Sequence, residues 1–285
     1  MGTGIADRLT IRVMDEHDLD RALGWAADEG WNPGLADADC FRAADPEGFL
    51  MAWLDGEPAA CLSVVRYGPA FGFLGLYIAR PDRRGQGIGY RLWQAGMIHL
   101  EGAVVGLDGV PAQQPNYARS GFKLAHRNVR FGGKPGFAPP RDGRLKRVGQ
   151  SLVQPVLDYD RPFFAGPREP FLRCWLRPEA RTAFALVDDG AVRGYGVIRA
   201  CREGYKIGPL FADGEREAEI LFQALAACAG DSHLFLDLPE PNRAAIDLAT
   251  RHGLSPVFET ARMYRGADPG LPLTKTYGIT TFELG

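Results

Sequence analysis

Cysteine is sparse in this chain and forms no pattern. The five residues Cys40, Cys61, Cys174, Cys201 and Cys228 are scattered and odd in number. No Cys-x-x-Cys pair or Cys/His ligand spacing occurs, which argues against a zinc site and against a disulfide framework. Reduced thiols, a cytoplasmic chain and no bound metal are the expectation. Nor is there a surplus of positive charge: 33 Lys and Arg stand against 35 Asp and Glu, for a net charge of -2. That leaves no basic face for nucleic acid, and the short basic run from Arg141 to Arg147 reads as solvated linker. No apolar run reaches the length of a signal peptide or a membrane span, so no membrane partner is expected. What the chain does have is 285 residues and 46% hydrophobic content. At about 100–200 residues per domain, that suffices for two domains with real cores.

The informative stretch runs from Phe73 to His99. An apolar strand through Ala79 meets a basic, glycine-rich turn, Arg80-Pro81-Asp82-Arg83-Arg84-Gly85-Gln86-Gly87-Ile88-Gly89, and an amphipathic helix follows from about Ile88. Such a turn offers free backbone N–H groups at the positive end of a helix dipole, an anion site suited to phosphate. Gly85, Gly87 and Gly89 let backbone approach a ligand without a Cβ in the way. Arg83 and Arg84 add fixed positive charge. A Walker loop is excluded, because Gly89-Tyr90-Arg91 stands where Gly-Lys-Ser/Thr is required. The dinucleotide fingerprint G-x-G-x-x-G is absent as well.

What remains is R-x-x-G-x-G, from Arg84 to Gly89, directly behind a strand. This resembles the pyrophosphate-binding turn of the GNAT superfamily of acyl-CoA-dependent N-acyltransferases. The element pattern extends the likeness over residues 8 to about 132. Leu9–Val13 alternates as a strand; helices follow over Arg21–Ala27 and from Leu35 to Ala44. Phe49–Leu54 and Glu57–Tyr67 form a hairpin about Asp55-Gly56. Beyond the glycine turn, Ile88, Leu92, Ala95 and Ile98 recur at helical spacing. Val104–Val110, a short helix over Asn116–Ser120 closed by Gly121, and the strand Leu124–Phe131 complete the unit.

The resemblance implies an α/β (α+β) fold in which the strand before the turn splays from the strand after its helix. An acyl-pantetheine arm lies in that gap and pairs with open main chain. Tyr77, Ile78 and Ala79 would then hold the arm, and the turn from Arg83 through Tyr90 the pyrophosphate. Asn116-Tyr117-Ala118-Arg119-Ser120-Gly121-Phe122 resembles the family's segment Asn…Tyr-x-x-x-Gly-Phe. This implies that Asn116 and Tyr117 border the cofactor. Tyr117 would be the acid that protonates the leaving thiolate, since a phenol remains a donor at pH 7; the plain reading is that its ring packs on the sheet. Many members carry a carboxylate base on the central strand, yet Gly72–Ala79 contains none. Asp108 is the best substitute, ahead of Asp37, Asp39 and Glu47, with a water relay as the other route. Trp31 and Tyr67 are candidates to line the acceptor pocket.

Residues 134–143 read as a linker by composition, dividing an N-terminal domain, 1–133, from a second unit, 144–285. The second unit repeats the element order, with a hairpin about Asp189-Gly190, a central strand over Gly204–Phe211 and its helix over Ala218–Ala229. Its chemistry does not repeat. Asp213, Glu215 and Glu217 replace the basic turn, the wrong sign for a pyrophosphate. Ala249 stands where the tyrosine would. This half resembles the degenerate C-terminal unit of a bacterial tandem-GNAT subgroup and is expected to bind no acyl-CoA. Arg199, Arg202, Tyr205 and Lys206 either read an acidic acceptor or form a solvated sheet face. The tail, Thr276–Leu284, is expected to close the second sheet. Its alternative is to cross to the first domain and bring Glu283 or the terminal carboxylate near the nucleophile.

The reading is two tandem GNAT-like domains, each a mostly antiparallel sheet flanked by helices. The first is expected to use acetyl-CoA, or another acyl-CoA, to acylate a primary amine of a small molecule, as a monomer or homodimer. A non-catalytic acyl-CoA sensor and a protein lysine acetyltransferase are the alternatives.

Overall fold

The structure is a computed structural model that describes residues 5–285; residues 1–4 of the N-terminal unit lie outside the described residues. Its first half runs α1 (Ile5–Arg8), β1 (Leu9–Val13), α2 (Glu16–Asp28), α3 (Asp37–Ala44), β2 (Phe49–Leu54), β3 (Glu57–Tyr67), β4 (Phe71–Ala79), α4 (Ile88–His99), β5 (Val104–Gly109), α5 (Gln114–Arg119) and β6 (Lys123–Gly133). The second half runs β7 (Leu145–Arg147), α6 (Gln150–Asp160), α7 (Glu169–Trp175), β8 (Arg181–Asp188), β9 (Ala191–Ala200), β10 (Tyr205–Ala212), α8 (Glu215–Ala227), β11 (Leu234–Pro239), α9 (Arg243–Arg251), β12 (Ser255–Arg265) and β13 (Thr276–Gly278). Local chemistry sets many of these limits. Asp15 caps α2, its carboxylate accepting from the Asp18 N–H while Asp18 reaches back to the Asp15 N–H. Asp55-Gly56 and Asp189-Gly190 both take positive φ, which matches a two-residue hairpin turn to the strand twist.

The strands form one sheet in the order β1-β2-β3-β4-β5-β12-β6-β11-β10-β9-β8-β7, with β13 paired to β10. Its centre is an exchange. β12, the late strand of the second half, lies against β5; β6, the last strand of the first half, lies against β11. The two exchanged strands pair with each other, with Asn128 opposite Thr260. Each also carries one buried arginine that meets an aspartate directly across the new pairing. Arg262 of β12 opposes Asp108 of β5, and Arg130 of β6 opposes Asp237 of β11. Both pairs are bidentate, at 2.8 and 2.6 Å for Arg262–Asp108 and 2.6 and 2.8 Å for Arg130–Asp237.

Burial follows the same interleaving. Leu62, Val64, Leu74, Ile88 and Leu92 form a core beneath α4, and Leu221, Leu225, Leu236 and Leu248 form another beneath α8 and α9. The largest cluster draws on both halves, joining Phe41, Phe49 and Phe73 to Phe171, Trp175 and Tyr195. The expectation of free thiols throughout is corrected here. Cys40 of α3 and Cys174 of α7 are joined in a disulfide, their Cα atoms 5.2 Å apart. Their separation of 134 residues gives no spacing signal, so only the packing of α3 on α7 reveals the pair.

The tail corrects a second expectation. Only Thr276–Gly278 is strand. It fills the gap between β10 and β11, pairing with Leu210 and Phe211 while the Ile279 N–H donates to the Asp237 carbonyl at 2.8 Å. The chain then crosses to the first half, the less favoured of the two routes.

Candidate active site

β4 and β5 pair in parallel only from Phe71 opposite Val104 to Leu74 opposite Leu107. The divergence has a visible cause. Leu76 and Tyr77 together oppose Leu62 on β3, a β-bulge, and Leu76 takes φ 46°. The extra residue bends β4 away from β5. The gap so opened is a cavity of about 520 Å³. Tyr77, Ile78 and Ala79 line one wall, Leu107, Asp108 and Gly109 the other, and Arg83, Arg84, Gly85, Gly87, Ile88, Gly89 and Tyr90 the mouth. Gly85 and Gly87 have φ of 74° and 76°, and a Cβ on either would meet nothing within 4 Å. No main-chain N–H from Gly85 to Gly89 is used by a described hydrogen bond of the chain itself. The turn is thus an open set of donors ahead of the α4 dipole.

The side chains around it have separate tasks. The Arg84 Nε donates to the Ala79 carbonyl at 2.9 Å, and its guanidinium pairs with Glu29 across the mouth. Arg83 lines the cavity, its Nε in an ion pair with Asp82 at 3.4 Å. Gln86 and Asn116 do not line the cavity: the Gln86 amide donates to the Asp82 carbonyl at 3.1 Å, and the exposed Asn116 to Gln113 at 2.6 Å.

Tyr117 lies in the cavity wall at 8% exposure, stacked on Trp93 at 5.8 Å. A Cβ on Gly109 would come within 2.3 Å of its ring, so glycine there makes its seat. Burial first, and Tyr77 second, push its hydroxyl up to about 12. It therefore holds its proton at neutral pH. The Tyr77 hydroxyl stands 2.9 Å from the Cβ position of Gly89, at the cradle end.

Asp108 borders the cavity, yet both its oxygens are taken. Arg262 engages them in the bidentate pair, and the Asn128 amide donates to Oδ1 at 2.8 Å. A fully buried carboxylate so occupied is an anchor for Arg262 and a poor proton acceptor. The lesser candidates lie elsewhere. Asp37 is buried between Arg181 and Arg199; Asp39 and Glu47 are exposed. Tyr67 donates to the Leu284 carbonyl at 3.2 Å and lies outside the cavity. Trp31 does line it. Arg199 and Lys206 are neither solvated nor in the cavity. At 2% and 1% exposure they belong to a buried charge network with Asp37, Asp237 and Arg130. Lys206 holds the main chain at Asn32 there, its Nζ donating to the carbonyl at 2.9 Å.

Of the second half's contribution to the cavity, sequence reasoning named Glu283 alone, by the alternative course of the tail, and missed Phe258, Thr260 and Phe282. Phe258, Thr260, Phe282 and Glu283 line the cavity beside the first half's residues. In the second half the corresponding gap, beside a matching bulge at Gly208-Pro209, is filled by β13 and its continuation. A Cβ on Gly208 would meet the Thr280 carbonyl at 2.5 Å.

A bulged central strand, splayed from its parallel neighbour and running into a glycine-lined amide cradle, is the framework of an acyltransferase. The chain belongs to the GNAT superfamily of acyltransferases. Residues 13–122 match the sequence model of the acetyltransferase (GNAT) family, and residues 156–278 match that of an acetyltransferase (GNAT) domain. It is 31% identical over 262 residues to the holothin acyltransferase of Pseudoalteromonas sp. (strain SANK 73390), covering 92% of this chain and 89% of that one. Among solved structures it is similar to a Pyrococcus horikoshii chain to which acetyltransferase activity is attributed, with a TM-score of 0.82 and 21% identity over 98% of this chain and 96% of that one. It is similar also to a tandem GNAT protein of the clavulanic acid biosynthesis pathway, with a TM-score of 0.61 and 15% identity over 91% and 99% of the two chains. The two structural likenesses establish the fold.

Proposed function

We propose that this acyltransferase moves the acetyl group of acetyl-CoA to a primary amine of a small molecule, by direct attack, in the cavity of its N-terminal half. The observation that carries this reading is the contrast between the two gaps. One is open and ends in unused backbone donors; its counterpart is occupied by the protein's own tail and faces Asp213, Glu215 and Glu217. The donor's pantetheine would lie along Tyr77–Ala79, its pyrophosphate at Gly85–Gly89, and its sulfur toward Tyr117. The acceptor nitrogen attacks the thioester carbonyl, the carbon–sulfur bond breaks, and Tyr117 gives its proton to the departing thiolate. A small acceptor is supported by the cavity's size, about 520 Å³, and by the second-half residues Phe258, Thr260, Phe282 and Glu283 that wall it. It is supported further by the likeness to an acyltransferase named for holothin.

Thiol release from acetyl-CoA across a panel of amines tests the reaction; no release with any amine would refute it. Calorimetry tests the cradle. Gly87→Val places a Cβ in the cradle at φ 76°. Strain of about 1–3 kcal/mol and the lost approach of the donor predict roughly tenfold or weaker acetyl-CoA binding. Unchanged affinity would remove the pyrophosphate from this turn.

A further inference from the structure

We propose that Glu283, carried into the first half by the tail, is the base that takes the proton from the attacking acceptor nitrogen. This rests on the acyl transfer proposed above and names the group it lacks. The central strand has no carboxylate of its own, and immediately before the bulge it has no side chain at all: residue 75 is glycine. The tail main chain occupies that space. A Cβ on Gly75 would lie 2.1 Å from the Glu283 carbonyl oxygen. The Ser63 hydroxyl donates to the Glu283 carbonyl at 3.5 Å and the Tyr67 hydroxyl to the Leu284 carbonyl at 3.2 Å, so β3 holds the tail where it meets Gly75. The missing side chain of β4 and the arriving tail are therefore one arrangement.

The carboxylate itself is 2% exposed and lines the cavity, and its Oε1 has no hydrogen-bond partner among the described residues. An unpaired buried acceptor is costly, which argues for a ligand group that completes it. Other carboxylates at the cavity are committed: Asp108 to Arg262 and Asn128, Glu29 to Arg84 at the mouth. The cations that face it are Arg130 of β6, Arg199 of β9 and Lys206 of β10, each of which feels the charge of Glu283. They are balanced in turn by Asp237 and Asp37.

The step balances without another reagent. The neutral nitrogen forms its bond to the thioester carbon, the carbon–sulfur bond breaks, the ammonium proton passes to Glu283, and the Tyr117 proton passes to sulfur. Glu283 then returns its proton through solvent as Tyr117 regains one.

The test compares thiol release by the full chain and by Glu283→Gln, with acetyl-CoA and the best amine of the panel. A loss of roughly 100-fold or more in kcat, unchanged calorimetric affinity for acetyl-CoA, and disappearance of the acidic limb of the pH–rate profile are expected. Glu283→Ala should regain rate with added formate, while the unmodified protein should not. Turnover by Glu283→Gln within about threefold of the parent, with the acidic limb intact, would overturn the role of Glu283 and leave the acyltransferase reading standing. No thiol release by the parent with any amine would overturn both.

Discussion

Tyr117 is surrounded by rings, with Trp93 and Phe122 against it and Gly109 beneath it. Apolar walls disfavour a phenolate, so its hydroxyl is pushed up to about 12 and the proton stays in place through the working pH range. Two outcomes follow for the free acid form. The rate should show no alkaline decline attributable to Tyr117 below about pH 10, because its ionisation begins only as pH nears its raised pKa. Tyr117→Phe should lower kcat by about 100-fold or more while leaving acetyl-CoA affinity nearly intact; equal losses in both would show that the ring, and not the hydroxyl, is what matters. Tyr117 and the glycine turn were legible in the sequence because each sits in a short local pattern. The fate of Asp108 was not, since Arg262 lies 154 residues away. Glu283 was legible only as a possibility of the tail, because Gly75 records a space and says nothing of what enters it.

At the scale of elements, the reciprocal Arg–Asp pairs set the register of the exchanged strands. Side-chain direction alternates along a strand, so a slip of one residue would turn Arg262 out of the sheet face it shares with Asp108. Removing one partner of a buried ion pair strands the other charge, at a cost of about 3–5 kcal/mol. Arg262→Met should therefore destabilise the protein by that order in denaturant unfolding, and the paired change with Asp108→Leu should recover much of it. A double mutant as unstable as the single one would deny the pairing its structural role. Element positions were readable from alternation and from the Asp-Gly turns, and hairpins such as β2–β3 pair as their sequence neighbours suggest. The exchange was not readable. β6 and β12 have similar alternation, and neighbours in sequence are the default neighbours in a sheet.

For the molecule as a whole, the division at the linker separates two stretches of chain but not two folded bodies. Residues 1–143 alone would leave β5 without β12 and would expose both edges of β6. Unpaired edges and a shared apolar core favour aggregation. Expressed separately, residues 1–143 and 144–285 should each fail to give a folded monomer by circular dichroism and gel filtration, while co-expression should yield a complex. A cooperative melt of either piece alone would contradict the shared core. That the chain has two related units, of which one has a basic glycine-rich turn, was visible in sequence, because the acids Asp213, Glu215 and Glu217 replace that turn locally. That both units share one sheet and one tail was not, because it depends on contacts between their ends.

The interleaving of β6 and β12 also bears on traffic. Many two-part enzymes admit substrate by swinging their lobes apart about a hinge. Here such a swing of the two halves would tear three rows of main-chain hydrogen bonds and two buried ion pairs. The doorway must therefore be local, and the contact between Glu29 at the end of α2 and Arg84 lies across it. Its latch is a surface ion pair, a weak bond by comparison with the seam behind it.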